Sequence, residues 1–126
     1  DPYRVAELDA ADVAVTKVAP LGGVRKLMTI SEELGLKLTV ASALDTAVGI
    51  HAGLVAAKVT GSQAAGLATQ RLFVEDVAEP FDFADGRMHV GSVTPDPERL
   101  SGLAAPGERK DWWFERAKRC LPYLGG

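Results

Sequence analysis

The sequence predicts a parallel α/β fold, on three observations. Two short apolar runs, 12–18 and 36–42, are the candidate strands, and the first has the β-branched pattern of a strand buried on both faces. Each run leads into a stretch of helical character, 22–34 and 44–59. Breaks fall between these elements, at Pro20, Gly22, Gly23 and Gly35. Alternation of this kind implies parallel strands joined by right-handed helical crossovers, in an open doubly wound sheet or a closed barrel. The local pattern permits both.

Taken in order, residues 1–8 suit an abruptly entered helix, with Pro2 in the first turn and Val5 and Leu8 as its apolar positions. Val13, Val15 and Val18, with Ala14 and Ala19, make the first strand. Val24, Leu27, Met28, Ile30 and Leu34 recur at helical spacing until Gly35 supplies a C-cap. Leu36, Leu38 and Val40 open the second strand, which ends near Ser42. The stretch 44–59 is rich in Ala, Leu and Val and holds no proline. After Thr60 the signal weakens into irregular surface chain, with a possible strand at 87–90. A last helix is expected over 108–121, docking on a core through Trp112, Trp113, Ala117 and Leu121.

Composition narrows the function classes. A chain of 126 residues with 47% hydrophobic and 25% charged residues is long enough, and apolar enough, to bury a sizeable core. The net charge of −3 is spread along the sequence without a basic stripe, so nucleic acid is not an expected partner. Cys120 is the single cysteine, which excludes an intrachain disulfide and a thiolate metal cluster and fits a reducing compartment. No stretch approaches the ~20 apolar residues of a membrane span. A cytoplasmic protein is expected.

In parallel α/β folds active sites gather at the C-terminal ends of the strands, so polar residues where an apolar run stops are the candidates. Lys17 is one: a charged side chain between Val15 and Val18, where burial would tune it as a base, or where it snorkels or pairs with a structural carboxylate. Gly22 and Gly23 follow, with amides that could hold a carboxylate or phosphate at a helix N-terminus; turn geometry is the plainer reading. Ser42, at the end of the second strand, is the other candidate, with Asp45 or Thr46 opening the helix; N-capping by any of the three is the alternative. His51 lacks a second histidine or acid at ligand spacing, and Glu75, Asp76 and Glu79 read as a solvated loop rather than a metal site.

Together the segments ADVAVTKVAPLGGVRK and LTVASALDTAVGIHAGL resemble the sixth and seventh βα units of actinobacterial o-succinylbenzoate synthases, of the enolase superfamily. LFVEDV, TPDPERL and RKDWWFERAKRC extend the resemblance over nearly the whole chain. The resemblance implies that residues 1–126 are the C-terminal part of a (β/α) barrel, roughly its sixth to eighth βα units and tail, without the N-terminal capping domain and the earlier strands. It implies dehydration of a cyclohexadiene-type hydroxy acid in menaquinone biosynthesis, through an enediolate stabilised by a divalent metal, Mg2+. By the same resemblance Lys17 is the sixth-strand lysine that faces the substrate and stabilises the anionic intermediate. Gly22 and Gly23 match the loop beside it, and Ser42, Ala43 and Leu44 match seventh-strand substrate contacts. The metal ligands and the second-strand lysine are expected before Asp1, so the segment alone should be inactive, and its partners are a small carboxylate substrate and the remainder of the barrel and cap.

The family's SSALDT reads here with Ala41 in place of the first serine, and its eighth-strand glycine-rich segment reads Gly66, Leu67, Ala68, Thr69, Gln70. Ala68 and Gln70 are expected to crowd the carboxylate site. An N-acylamino acid racemase or epimerase of the same superfamily is the nearest competing function. A noncatalytic anion-binding or assembly module is the other.

Overall fold

The first helix forms for the reason its sequence suggests. In the computed structural model, which describes residues 1–62 and 64–123, the Asp1 side chain caps α1 (Pro2–Glu7) by accepting from the Tyr3 N–H at 3.0 Å. Pro2 sits in the first turn, where a missing N–H leaves nothing unpaired.

Strands β1 (Val13–Thr16) and β2 (Lys37–Val40) pair in parallel, with Val13 opposite Lys37 and Thr16 opposite Val40. Helix α2 (Val24–Leu34) makes the crossover between them, and α3 (Ala47–Thr60) follows β2. An isolated parallel bridge from Ala41 to Gly66 brings the chain after α3 back to the far edge of β2. The alternation expected from the sequence is therefore present. The expected helices at 22–34 and 44–59 start later, at Val24 and Ala47, because Gly22, Gly23 and Leu44 take positive φ values of 91°, 112° and 63° that a right-handed helix excludes.

Leu27, Leu38, Val40, Ile50, Leu54 and Leu67 form the core between the two helices and one face of the sheet. Small residues let α3 lie close: a methyl group at Gly53 would stand 2.6 Å from Cδ2 of Leu67. The other face is bare. Val13 and Val15 are 45% and 68% exposed, which corrects the expectation of a first strand buried on both faces. No described element covers that face, and among the described residues β1 has a strand neighbour on one edge only.

Beyond α3 the chain is irregular, as expected, but tied down. A 3-10 turn (Thr69–Leu72) leads to a hairpin of β3 (Phe83–Ala84) and β4 (Arg87–Met88). Its turn residues Asp85 and Gly86 have φ of 50° and 74°, the paired positive values that suit the twist of a two-residue hairpin. Asp96 caps α4 (Pro97–Gly102). Helix α5 (Gly107–Cys120) spans the expected last helix, yet none of its residues is buried. Trp112 and Trp113 remain 42% and 50% exposed and pack edge to face on each other at 4.7 Å, so their expected docking is not made among the described residues. Arg109 covers the Trp112 ring, at 4.8 Å. No described helix is long and apolar enough to cross a membrane.

Candidate functional site

The parallel register brings the two sequence candidates to one end of the sheet. Thr16 lies opposite Val40 and the Ala41 N–H donates to the Thr16 carbonyl at 2.8 Å, so Lys17 and Ser42 both emerge at the C-terminal edge. Lys17 is exposed, not buried, and by strand alternation it continues the bare face of Val13 and Val15. It lines the end of a groove of about 470 Å³ that runs along the free edge of β1, with Val13, Val15, Leu21 and Leu38 among the walls.

Gly22 and Gly23 sit just beyond Lys17, but their amides are spoken for. The Gly22 N–H donates to the Ala19 carbonyl and the Gly23 N–H to the Val18 carbonyl, at 3.1 and 3.0 Å. This agrees with turn geometry, the plainer of the two readings the sequence offers for the pair. The pair serves the turn, where both residues need left-handed backbone that only glycine adopts without strain.

The loop 42–46 is rigidly built. Ser42 is buried, and its hydroxyl donates to the Gly66 carbonyl at 3.0 Å while accepting from the Thr69 hydroxyl at 2.7 Å. Ala43 and Leu44 are exposed at the rim. The Ala43 N–H is held at 2.8 Å by the Asp45 carboxylate. Asp45 fits there because residue 49 is glycine; a methyl group at 49 would lie 2.6 Å from Asp45 Cβ. The motif LDTAVG is thus a single device: the carboxylate folds back over the first turn and the glycine makes room for it.

Neither Ser42, Asp45 nor Thr46 caps α3. Thr46 is the N-cap residue and makes no side-chain cap bond; the Ala47 N–H instead donates at 2.9 Å to Asp76, twenty-nine residues on. Asp76 and Thr69 are the site-building residues that sequence reasoning missed. No local pattern marks a cap supplied from so far along the chain.

The acidic cluster is accordingly divided: Asp76 holds α3, Glu79 pairs with Arg99, and Glu75 is exposed. Gln70 serves the fold of the segment after α3. Its side chain is buried and clasps the Phe81 backbone, donating to the carbonyl at 2.9 Å and accepting from the N–H at 3.3 Å. His51 stacks on the Phe81 ring at 6.2 Å, and Cys120 is exposed.

Among the described residues no group of three or more His, Cys, Asp or Glu side chains converges on one point. The groups whose titration is shifted lie elsewhere. A hydrogen bond to Glu33 raises Tyr3, backbone donors at Arg99 and Glu98 lower Asp96, and Lys118 lowers Glu115.

Known proteins are similar to this arrangement. No family model matches the chain. The o-succinylbenzoate synthases of Mycobacterium leprae (strain TN) and Mycobacterium ulcerans (strain Agy99) are each 50% identical over 126 residues, 98% of the chain. The chain spans about 38% of the length of these relatives. Among solved structures, muconate lactonizing enzyme from Pseudomonas putida superposes with a TM-score of 0.69 at 26% identity, over 82% of this chain and 32% of that one. The N-succinyl Arg/Lys racemase of Bacillus cereus shares the fold, with a TM-score of 0.64 at 20% identity over 81% of this chain and 30% of that one. The parallel strands, the crossover helices and this likeness agree: over nearly its whole length the chain is similar to o-succinylbenzoate synthases, and its fold is that of part of an enolase-superfamily α/β barrel.

Proposed function

We propose that this chain is the barrel segment of an enzyme that forms o-succinylbenzoate by metal-dependent dehydration of a cyclohexadiene-type hydroxy acid in menaquinone biosynthesis. The observation that carries the reading is 50% identity over 98% of the chain to curated synthases. On this reading the segment supplies the sixth to eighth βα units and tail, and the remaining strands and the capping domain come from the rest of the polypeptide, working in the cytoplasm on a small carboxylate.

Loss of a proton beside the substrate carboxylate leaves an enediolate, and departure of the β-hydroxyl as water completes the elimination. A positive charge fixed where that negative charge develops lowers the barrier. Lys17 is the group in this chain suited to that role, since it brings an ammonium with three donors to the C-terminal end of β1, on the face left open for the barrel interior. Gly22 and Gly23 give the adjoining wall without side chains. Ser42 contributes by position, since its hydroxyl is bound to Gly66 and Thr69, and it presents Ala43 and exposed Leu44 toward the substrate. A divalent metal, Mg2+ on this reading, would supply charge stabilisation at the carboxylate. The described residues form no ligand set for it, so its ligands fall to the rest of the polypeptide.

The test is an assay of the polypeptide carrying this segment at the length of its relatives, following the absorbance of the aromatic product with and without a chelator. Product that requires the metal supports the reading. No product from folded, metal-loaded protein overturns it. In the active protein Lys17→Ala should lower turnover by about 10²–10³ or more with the circular dichroism spectrum unchanged, as expected for removal of one preorganised donor. Near-normal turnover would remove Lys17 from the mechanism.

A further inference from the structure

Three anchors hold the loop between β2 and α3, and they differ in origin. Ser42 is fastened to Gly66 and Thr69. Ala43 is fastened by Asp45, within the loop. The third anchor is Asp76, which receives the Ala47 N–H at 2.9 Å and the Val77 N–H at 2.6 Å with its two carboxylate oxygens. Asp76 is itself fixed. The Val77 carbonyl accepts from the Asp96 N–H at 2.8 Å, Ala78 is 1% exposed, and Gln70 clasps Phe81, whose ring lies on His51 of α3. The irregular segment 70–81 is therefore a brace laid across the start of α3, with Asp76 as its point of contact.

The loop needs a brace because its backbone is not relaxed. Leu44 adopts φ of 63°, a left-handed value unfavourable for a branched side chain, and strain of this kind persists only where the surroundings over-determine it. Thr46 offers no side-chain cap that would fix the end of the loop locally.

We propose that Asp76 is a positioning residue for the reaction: by holding the Ala47 N–H it sets the height of Ala43 and Leu44 at the rim beside Lys17. The inference rests on the proposed function, which places substrate against that rim. Asp76 touches neither the substrate nor Lys17; it acts through the loop.

The test separates positioning from helix capping in the full-length polypeptide. Asp76→Ala should lower kcat by tenfold or more, about the effect of a small misplacement of reacting groups, and should speed hydrogen exchange over segment 42–48. Thr46→Asp added to that variant supplies a cap acceptor for the next N–H groups of α3 but none for Ala47. The double variant should recover the melting temperature while kcat stays low and exchange stays fast. It also keeps the experiment readable if the single variant folds poorly. Recovery of kcat together with melting temperature, or a kcat within twofold of the unmodified protein in Asp76→Ala, would overturn the proposal. If the unmodified polypeptide makes no o-succinylbenzoate, the proposed function fails by itself, and the exchange readings still judge Asp76: unchanged exchange over 42–48 sinks it.

Discussion

Thr16 shows how one side chain records its place in the fold. It lies opposite Val40 at the inner end of β1, 8% exposed, with its hydroxyl lacking a hydrogen-bond partner among the described residues. An unpaired buried hydroxyl costs about 1–3 kcal/mol, and valine has the same shape without it. Thr16→Val should therefore raise the stability of the intact polypeptide by about 1 kcal/mol, read as a higher urea midpoint at unchanged slope. A lower midpoint would mean that the hydroxyl has a partner in the complete protein. Lys17, the next residue, was legible as a candidate because a charge at the end of an apolar run is rare. Its exposure was not, since that depends on which neighbours cover the strand.

Helix ends carry the electrostatics of the elements. The Asp96 carboxylate accepts from the Glu98 and Arg99 N–H groups at 2.8 and 2.9 Å, and these bonds, led by that from Arg99, hold its pKa below the ordinary aspartate value. A lowered folded-state pKa contributes stability that is present above the unfolded value, about 3.9, and lost as pH falls through the folded one. The Glu98 and Arg99 amide resonances should hold steady from neutral pH to about pH 4 and move only below it. Asp96→Asn should abolish that movement, and a titration persisting in the variant would assign it to another group. At α3 the cap is borrowed from Asp76, so the local reading of Ser42, Asp45 or Thr46 as the cap fails for a tertiary reason. The 85–86 turn is the opposite case: Asp-Gly before a short run is a hairpin signal in the sequence alone, and only half of the hairpin, the strand at 87–90, was expected.

For the molecule as a whole the decisive feature is the uncovered sheet. Val13 and Val15 present apolar surface beside the free edge of β1, and a free edge with apolar neighbours recruits other strands. The 126-residue chain in isolation should self-associate with rising concentration, and Val15→Lys should shift its sedimentation toward the monomer. A monomer at every concentration would show that the edge is protected in some other way. The chain spans about 38% of its relatives' length, and on the proposed function this same face is the barrel interior, closed by the remaining strands.

Element types and order were readable because hydrophobic period and chain breaks are local properties: 12–18, 22–34 and 36–42 each contain the observed element, and 44–59 holds all of α3 but its last residue, Thr60. The pairing of Lys17 with the Ser42 loop at one sheet end also followed, since parallel strands run in the same direction. Long-range assignments did not follow. Gln70 turned to Phe81, and Asp76 crossed to α3. Trp112 and Trp113 found each other and Arg109 in place of a core. Each of these turns on which groups meet after the chain has folded, and a hydrogen bond between residues twenty-nine apart leaves no periodic trace in the sequence that makes it.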